Sequence, residues 1–138
     1  MKKNGFTLIE LLAVVCLIAI IATIGTYGVS RVKENISKSL WESKVELIEN
    51  KAKTYGEDNK MRLTANCNFE GKTYSKCLRI TVQTLLDSNY LPSKEKDDSG
   101  KKVIVNDTVA KNHGSYYANN LPIFIYLEND YVYARLIY

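Results

Sequence analysis

Between Glu10 and Arg31 the chain runs for 20 residues without a charged side chain, and that run constrains every other reading of the sequence. Residues 6–24 are apolar except at Thr7, Glu10 and Thr23. At a rise of ~1.5 Å per residue, about 20 such residues reach across a hydrocarbon core of ~30 Å. A cleaved secretory signal would have a shorter apolar region and a small-residue exit, whereas this run passes straight into a helical pattern. Lys2 and Lys3 beside the short amino terminus favour keeping that end cytoplasmic, which sets the body of the chain outside. That body belongs to a different solvent. Residues 31–138 carry 17 Lys+Arg and 14 Asp+Glu, so the mean hydropathy of -0.20 averages two unlike parts. With 138 residues, 46% of them hydrophobic, and only 2 Pro, the chain has material for one modest folded domain rather than a disordered polymer. Its 3 Cys are too few for a disulfide-built scaffold.

Glu10 fits a simple anchor badly. An ionised carboxylate in an apolar run costs at least ~2.5 kcal/mol and calls for a cation. Hydration at the headgroup level is the plain alternative. The residues around it decide between these: Lys2-Lys3-Asn4-Gly5 followed by Phe6-Thr7-Leu8-Ile9-Glu10 resembles the class III leader and cleavage site of the type IV pilin family, pseudopilins included. The resemblance is carried by about residues 2–30. It implies that a prepilin peptidase cuts between Gly5 and Phe6 and methylates the new amino terminus. It implies also that Glu10 meets the ammonium of a neighbouring subunit inside an apolar filament core. Desolvation offsets much of that attraction, so the pair reads as a register device more than a net stabiliser. Many pilins have a helix-kinking Pro where this chain has Tyr27. Gly25 and Gly28 flank it and either supply a flexible point or allow close helix packing.

Beyond the run, Val29, Val32, Ile36, Leu40, Trp41, Val45, Ile48, Ala52 and Tyr55 recur every three or four residues, the spacing of one helical face. Glu34 with Lys38 and Glu49 with Lys53 have the favourable i, i+4 order for an exposed side. The spacing predicts one helix from about residue 6 to about residue 55, stopped by Gly56-Glu57-Asp58-Asn59. The remainder reads as a short helix over residues 82–89 capped by Thr81, with Asn89 left-handed and Pro92 preventing continuation. Strands are expected at residues 103–109, 122–127 and 131–138, the last two forming a hairpin. The expected fold class is therefore α+β, a pilin-like long amino-terminal helix with a small antiparallel sheet head. Its divisions are a leader at 1–5, a transmembrane and assembly half of the helix at 6–30, and a soluble head at 31–138.

Cys67 and Cys77 bracket a loop or short hairpin turning at Glu70-Gly71. Outside the membrane they can be oxidised, closing that loop with a contribution of roughly 2 to 3 kcal/mol. Two reduced thiols are the alternative. Cys16, inside the apolar run, behaves as a small apolar residue. Neither a cofactor nor a metal is expected. The single His113 sits in a polar turn, and there is no phosphate-binding Gly loop or nucleophile-base spacing. Asp97-Asp98-Ser99-Gly100 could offer oxygens to Ca²⁺ but lacks the alternating ligand pattern, so a solvated turn is the simpler reading. The net charge of +4 and 10 Tyr raise nucleic acid as a partner. Lys and Arg are interspersed with acids, however, and Tyr126, Tyr131 and Tyr133 fall in strand patterns that packing explains. DNA is thus kept as a partner of the system and not as a direct ligand.

The function implied by the resemblance is a non-enzymatic structural subunit, major or minor, of a type IV pilus-like filament for adhesion, motility, secretion or DNA uptake. Its implied partners are other pilin subunits, prepilin peptidase and an inner-membrane assembly platform with its ATPase. The implied course is from single-pass membrane protein to surface filament. The competing class is a monomeric, membrane-anchored binding or sensory module.

Overall fold

A computed structural model describes residues 7–138; within the first helix the side chains of residues 24–28 are not described. Helix α1 (Leu8–Asp58) is followed by strands β1 (Ala65–Phe69) and β2 (Lys72–Thr81), helix α2 (Val82–Asp87), and strands β3 (Pro122–Glu128) and β4 (Tyr131–Leu136). The fold is α+β and pilin-like, a long amino-terminal helix followed by a small antiparallel sheet of order β1-β2-β3-β4. The chain divides into two compact units, one reaching to Ser37 and the other Lys38–Tyr138.

In the first unit the described apolar side chains have nothing to pack against. Every large one from Leu8 to Ile21 is 47% to 87% exposed, and the free thiol of Cys16 is exposed among them. Among the described residues no helix is long and apolar enough to cross a membrane. The backbone is helical through Gly25, Tyr27 and Gly28.

In the second unit the rest of α1 supplies one wall of the core. Trp41, Val45, Ile48, Ala52 and Tyr55 are buried and cluster with Ile80, Ile123, Ile125, Val132 and Leu136 of the sheet. The apolar stripe read from the sequence is therefore split, because Leu40 is 50% exposed where its neighbour Trp41 is 4%. The helix ends at Asp58, inside the expected stop at Gly56-Glu57-Asp58-Asn59, with Gly56 itself still helical. A Cβ at Gly56 would lie 2.6 Å from Ile125 Cγ2 and 2.8 Å from Val132 Cγ1, so the missing side chain lets the helix touch β3 and β4. Glu49 turns to β4 instead of Lys53: its carboxylate accepts the Leu136 N–H at 3.0 Å and lies 3.5 Å from Arg135. Lys38 pairs at 4.0 Å with Glu42 and not with Glu34.

Both hairpins close through two-residue turns with positive φ, Glu70-Gly71 and Asn129-Asp130, as the primed turns between twisted strands require. Short helix α2 begins as expected, with Thr81 and Thr84 in a capping box, Val82, Leu85 and Leu86 buried, and Asn89 at φ 57°. It stops at Asp87.

The expected strand at residues 103–109 does not form. Val103, Ile104 and Val105 have the right residue types, but their N–H groups go to the Glu95 carbonyl, Asn119 Oδ1 and Glu95 Oε2 instead of to a neighbouring strand. Only single bridges, Lys96 with Lys102 and Val105 with Tyr117, remain there. Two of the sheet's four strands, β1 and β2, come instead from the cysteine hairpin, whose second arm extends to Thr81 and pairs with β3.

Candidate functional site

The first turn of α1 is organised by Thr7 and Glu10. A helix start leaves four N–H groups without partners, and a Thr followed three residues later by Glu can satisfy two of them reciprocally. Thr7 Oγ1 accepts the Glu10 N–H at 3.4 Å, and Glu10 Oε2 accepts both the Thr7 N–H at 2.8 Å and the Thr7 hydroxyl at 2.9 Å. A carboxylate there also faces the positive end of the helix dipole. Among the described residues Oε2 carries both Thr7 bonds and no cation stands within 4.0 Å of Glu10. The acid is thus held by Thr7 at the head of an exposed apolar helix. Thr7 was missed in the sequence, although the Thr-x-x-Glu spacing before an apolar run is its signal. Gly5 and Phe6 lie outside the described residues.

Cys67 and Cys77 are joined in a disulfide, with Cα atoms 6.3 Å apart. Strand alternation alone would not bring them together. Cys67 is opposite Tyr74 and Ala65 opposite Cys77, so two steps along β1 match three along β2. The extra residue of this β-bulge, at Ser75-Lys76, shifts the alternation and sets Cys77 on the same face as Tyr74.

Two further clusters complete the polar chemistry. Lys44 of α1 places its Nζ 2.9 Å from Glu95 Oε1, 3.0 Å from the Val105 carbonyl oxygen and 2.8 Å from Asp107 Oδ2. The last is a contact of charges without hydrogen-bond geometry. Burial pulls the Lys44 ammonium down, but the adjacent Asp107 and Glu95 carboxylates outweigh it and hold its pKa above the ordinary lysine value. In the Asp97 turn, Oδ1 accepts the Ser99 N–H at 2.9 Å, the Ser99 hydroxyl at 2.6 Å and the Lys101 N–H at 2.9 Å. Those bonds, the Ser99 hydroxyl first, keep the Asp97 carboxyl below its usual range. Among the described residues no group of three His, Cys, Asp or Glu could hold a metal ion. His113 is exposed, its Nδ1 accepting the Ser115 N–H at 3.3 Å.

Residues 1–26 match the prokaryotic N-terminal methylation motif. Such a motif supports a type IV pilin-like amino terminus. The match covers residues 1–5, Glu10 and most of the apolar run together, and it supports cleavage and methylation of a prepilin. It points to a structural protein and not an enzyme. No curated protein and no solved structure matches the pilin-like chain.

Proposed function

We propose that the chain is a structural subunit of a type IV pilus-like filament. Prepilin peptidase cuts between Gly5 and Phe6 and methylates Phe6. The uncharged helix serves first as a membrane anchor with its amino terminus cytoplasmic, and then as the filament core, packed by an ATP-driven inner-membrane platform. The head reaches the cell surface. The observation that carries this reading is the apolar surface of residues 8–21, whose large side chains are 47% to 87% exposed, headed by a carboxylate that among the described residues has no cation within 4.0 Å. Such a surface needs lipid or protein against it. The Phe6 ammonium of a neighbouring subunit supplies the missing charge to Glu10.

Two measurements on the native protein test this. Mass spectrometry of the amino terminus should find N-methylated Phe6; an intact Met1 or a cut beyond residue 24 would contradict it. Glu10→Gln separates the two roles of the acid, because glutamine can still accept the Thr7 N–H but carries no charge. We expect Glu10→Gln and Glu10→Ala to be inserted and processed normally but to lose most of the filaments recovered by shearing. Normal filaments from either variant would remove the assembly role. Correct processing of the wild type with no filament at all would favour the monomeric anchored module.

A further inference from the structure

Strand β2 outruns its neighbour β1. The pairing of the two ends with Ala65 opposite Cys77, because the chain enters β1 from the helical turn Lys60–Arg62. Strand β3 continues beside β2, from Leu78 opposite Ile125 to Thr81 opposite Pro122. Residues 78–81 therefore have a strand on one side and none on the other. A trough of about 470 Å³ opens there, lined by Arg79, Thr81 and Pro122 and, toward the core, by Tyr55 and Ile80, with Arg62 at Tyr55.

Strand alternation fixes what the backbone offers to this trough. The Val82 N–H donates to the Leu121 carbonyl at 3.2 Å. In an antiparallel ladder the N–H and C=O of one residue point to the same side, and the side alternates along the strand. Those of Ile80 thus face β3, and those of Arg79 face the trough. Pro122 agrees with this assignment: having no N–H, it stands opposite Thr81, where the ladder asks for none. The Thr81 N–H is taken by Thr84 Oγ1 at 3.4 Å. Arg79 is left with one main-chain donor and one acceptor that no main-chain group among the described residues satisfies.

The side chains add charge of one sign. Arg62 Nη1 donates to the Tyr55 hydroxyl at 2.8 Å, and among the described residues neither Arg62 nor Arg79 has a carboxylate within 4.0 Å. Leu78, Ile80 and Pro122 give apolar wall, and no described residue of the lining is acidic. An occupant should extend the sheet at Arg79, carry negative charge at that point and bring an aliphatic group. The last residue of an extended peptide does all three. Its N–H can donate to the Arg79 carbonyl and one carboxylate oxygen can accept the Arg79 N–H, which leaves the other oxygen to the guanidinium forks. A phosphate brings charge without a strand, and an internal segment brings a strand without charge.

We infer that the trough beside residues 78–81 is a docking site for the free carboxy terminus of an extended peptide with an aliphatic last residue. This property belongs to the head and is independent of filament assembly.

The test is fluorescence anisotropy of a labelled hexapeptide that ends in Val-Leu with a free carboxylate, titrated with the full chain in neutral detergent. The same peptide as its carboxy-terminal amide should bind about tenfold more weakly. Methylating the terminal leucine nitrogen, which removes the N–H offered to Arg79, should weaken binding about fivefold. Arg79→Gln and Arg62→Gln should each weaken the free acid about tenfold and narrow its advantage over the amide. Nuclear magnetic resonance of the wild type gives a readout that needs no variant: saturating peptide should shift the Arg79 amide resonance and slow its hydrogen exchange. No binding of the free acid overturns the inference. So do equal binding of acid and amide, displacement of the peptide by inorganic phosphate as effectively as by unlabelled peptide, or an Arg79 amide that does not respond.

Discussion

Gly56 shows how one residue can have a second role that its sequence position does not announce: it opens the stretch in which α1 ends, and it also makes room for the sheet. Glycine near the end of a helical pattern is the usual mark of a stop, yet here its lack of a side chain serves a contact with Ile125 and Val132. Nothing local distinguishes the two uses, because the second depends on strands some seventy residues away in sequence. The consequence is measurable. Gly56→Ala should gain up to ~1 kcal/mol of helix propensity. It should lose more than that, because both neighbours are β-branched side chains in a packed core. We expect a net destabilisation of about 1–2 kcal/mol in urea unfolding; an unchanged or raised midpoint would show that the core gives way freely. Glu10 is the opposite case. Its anomaly was plain in the sequence, and what the sequence reading lacked was only Thr7, the neighbour that holds it.

Elements built on a strict period were legible, and those that break one were not. The 3.6-residue stripe of α1, the capped α2 and the β3–β4 hairpin follow from residue pattern. Strand β2 hides because its alternation changes phase at Ser75-Lys76, so Lys72 and Tyr74 share a face with Cys77 and Arg79. Residues 103–109 mislead in the other direction: they have strand chemistry, but Glu95 and Asn119 take their N–H groups. The bulge yields a prediction at this scale. Deleting Ser75 makes the spacing between Tyr74 and Cys77 equal to that between Cys67 and Ala65, so both ends of β2 keep their faces. That variant should fold and form the Cys67–Cys77 disulfide, whereas deleting Arg79 should not, because it inverts the strand against β3. A thiol count by mass spectrometry distinguishes them, and loss of the disulfide on deleting Ser75 would refute the account. The bond itself closes a short loop and should contribute about 2–3 kcal/mol.

At the scale of the whole molecule the chain divides by what its surface needs. Up to Ser37 the described apolar side chains are exposed and call for partners, whereas from Lys38 onward the fold supplies its own. The amino-terminal motif, Glu10 and the cysteine pair could all be singled out in the sequence. The ion cluster at Lys44 could not, since its members are 51 and 63 residues away and none is unusual in its own surroundings. This cluster ties the long connection between α2 and β3 back to α1. Because the folded pKa of Lys44 is raised, its contribution is complete below the ordinary lysine value of about 10.4 and is lost as pH rises through the folded value. Lys44→Met, which leaves Glu95 and Asp107 without their cation, should cost about 1–2 kcal/mol near neutral pH. The gap between variant and wild type should close above about pH 10.5. A gap that stays constant to alkaline pH would show that packing of the lysine stem, and not its charge, holds the connection.

That connection has one more consequence. Between its anchors, which include the Asn106 N–H to Tyr116 carbonyl bond at 2.8 Å and the Ala118 N–H to Ile104 carbonyl bond at 2.8 Å, the chain makes a closed excursion. Within it residues 110–115 are exposed and contribute no side chain to the core. A lineage under pressure to alter its outward appearance can therefore rewrite this excursion freely, while the few residues that pin its base stay the same.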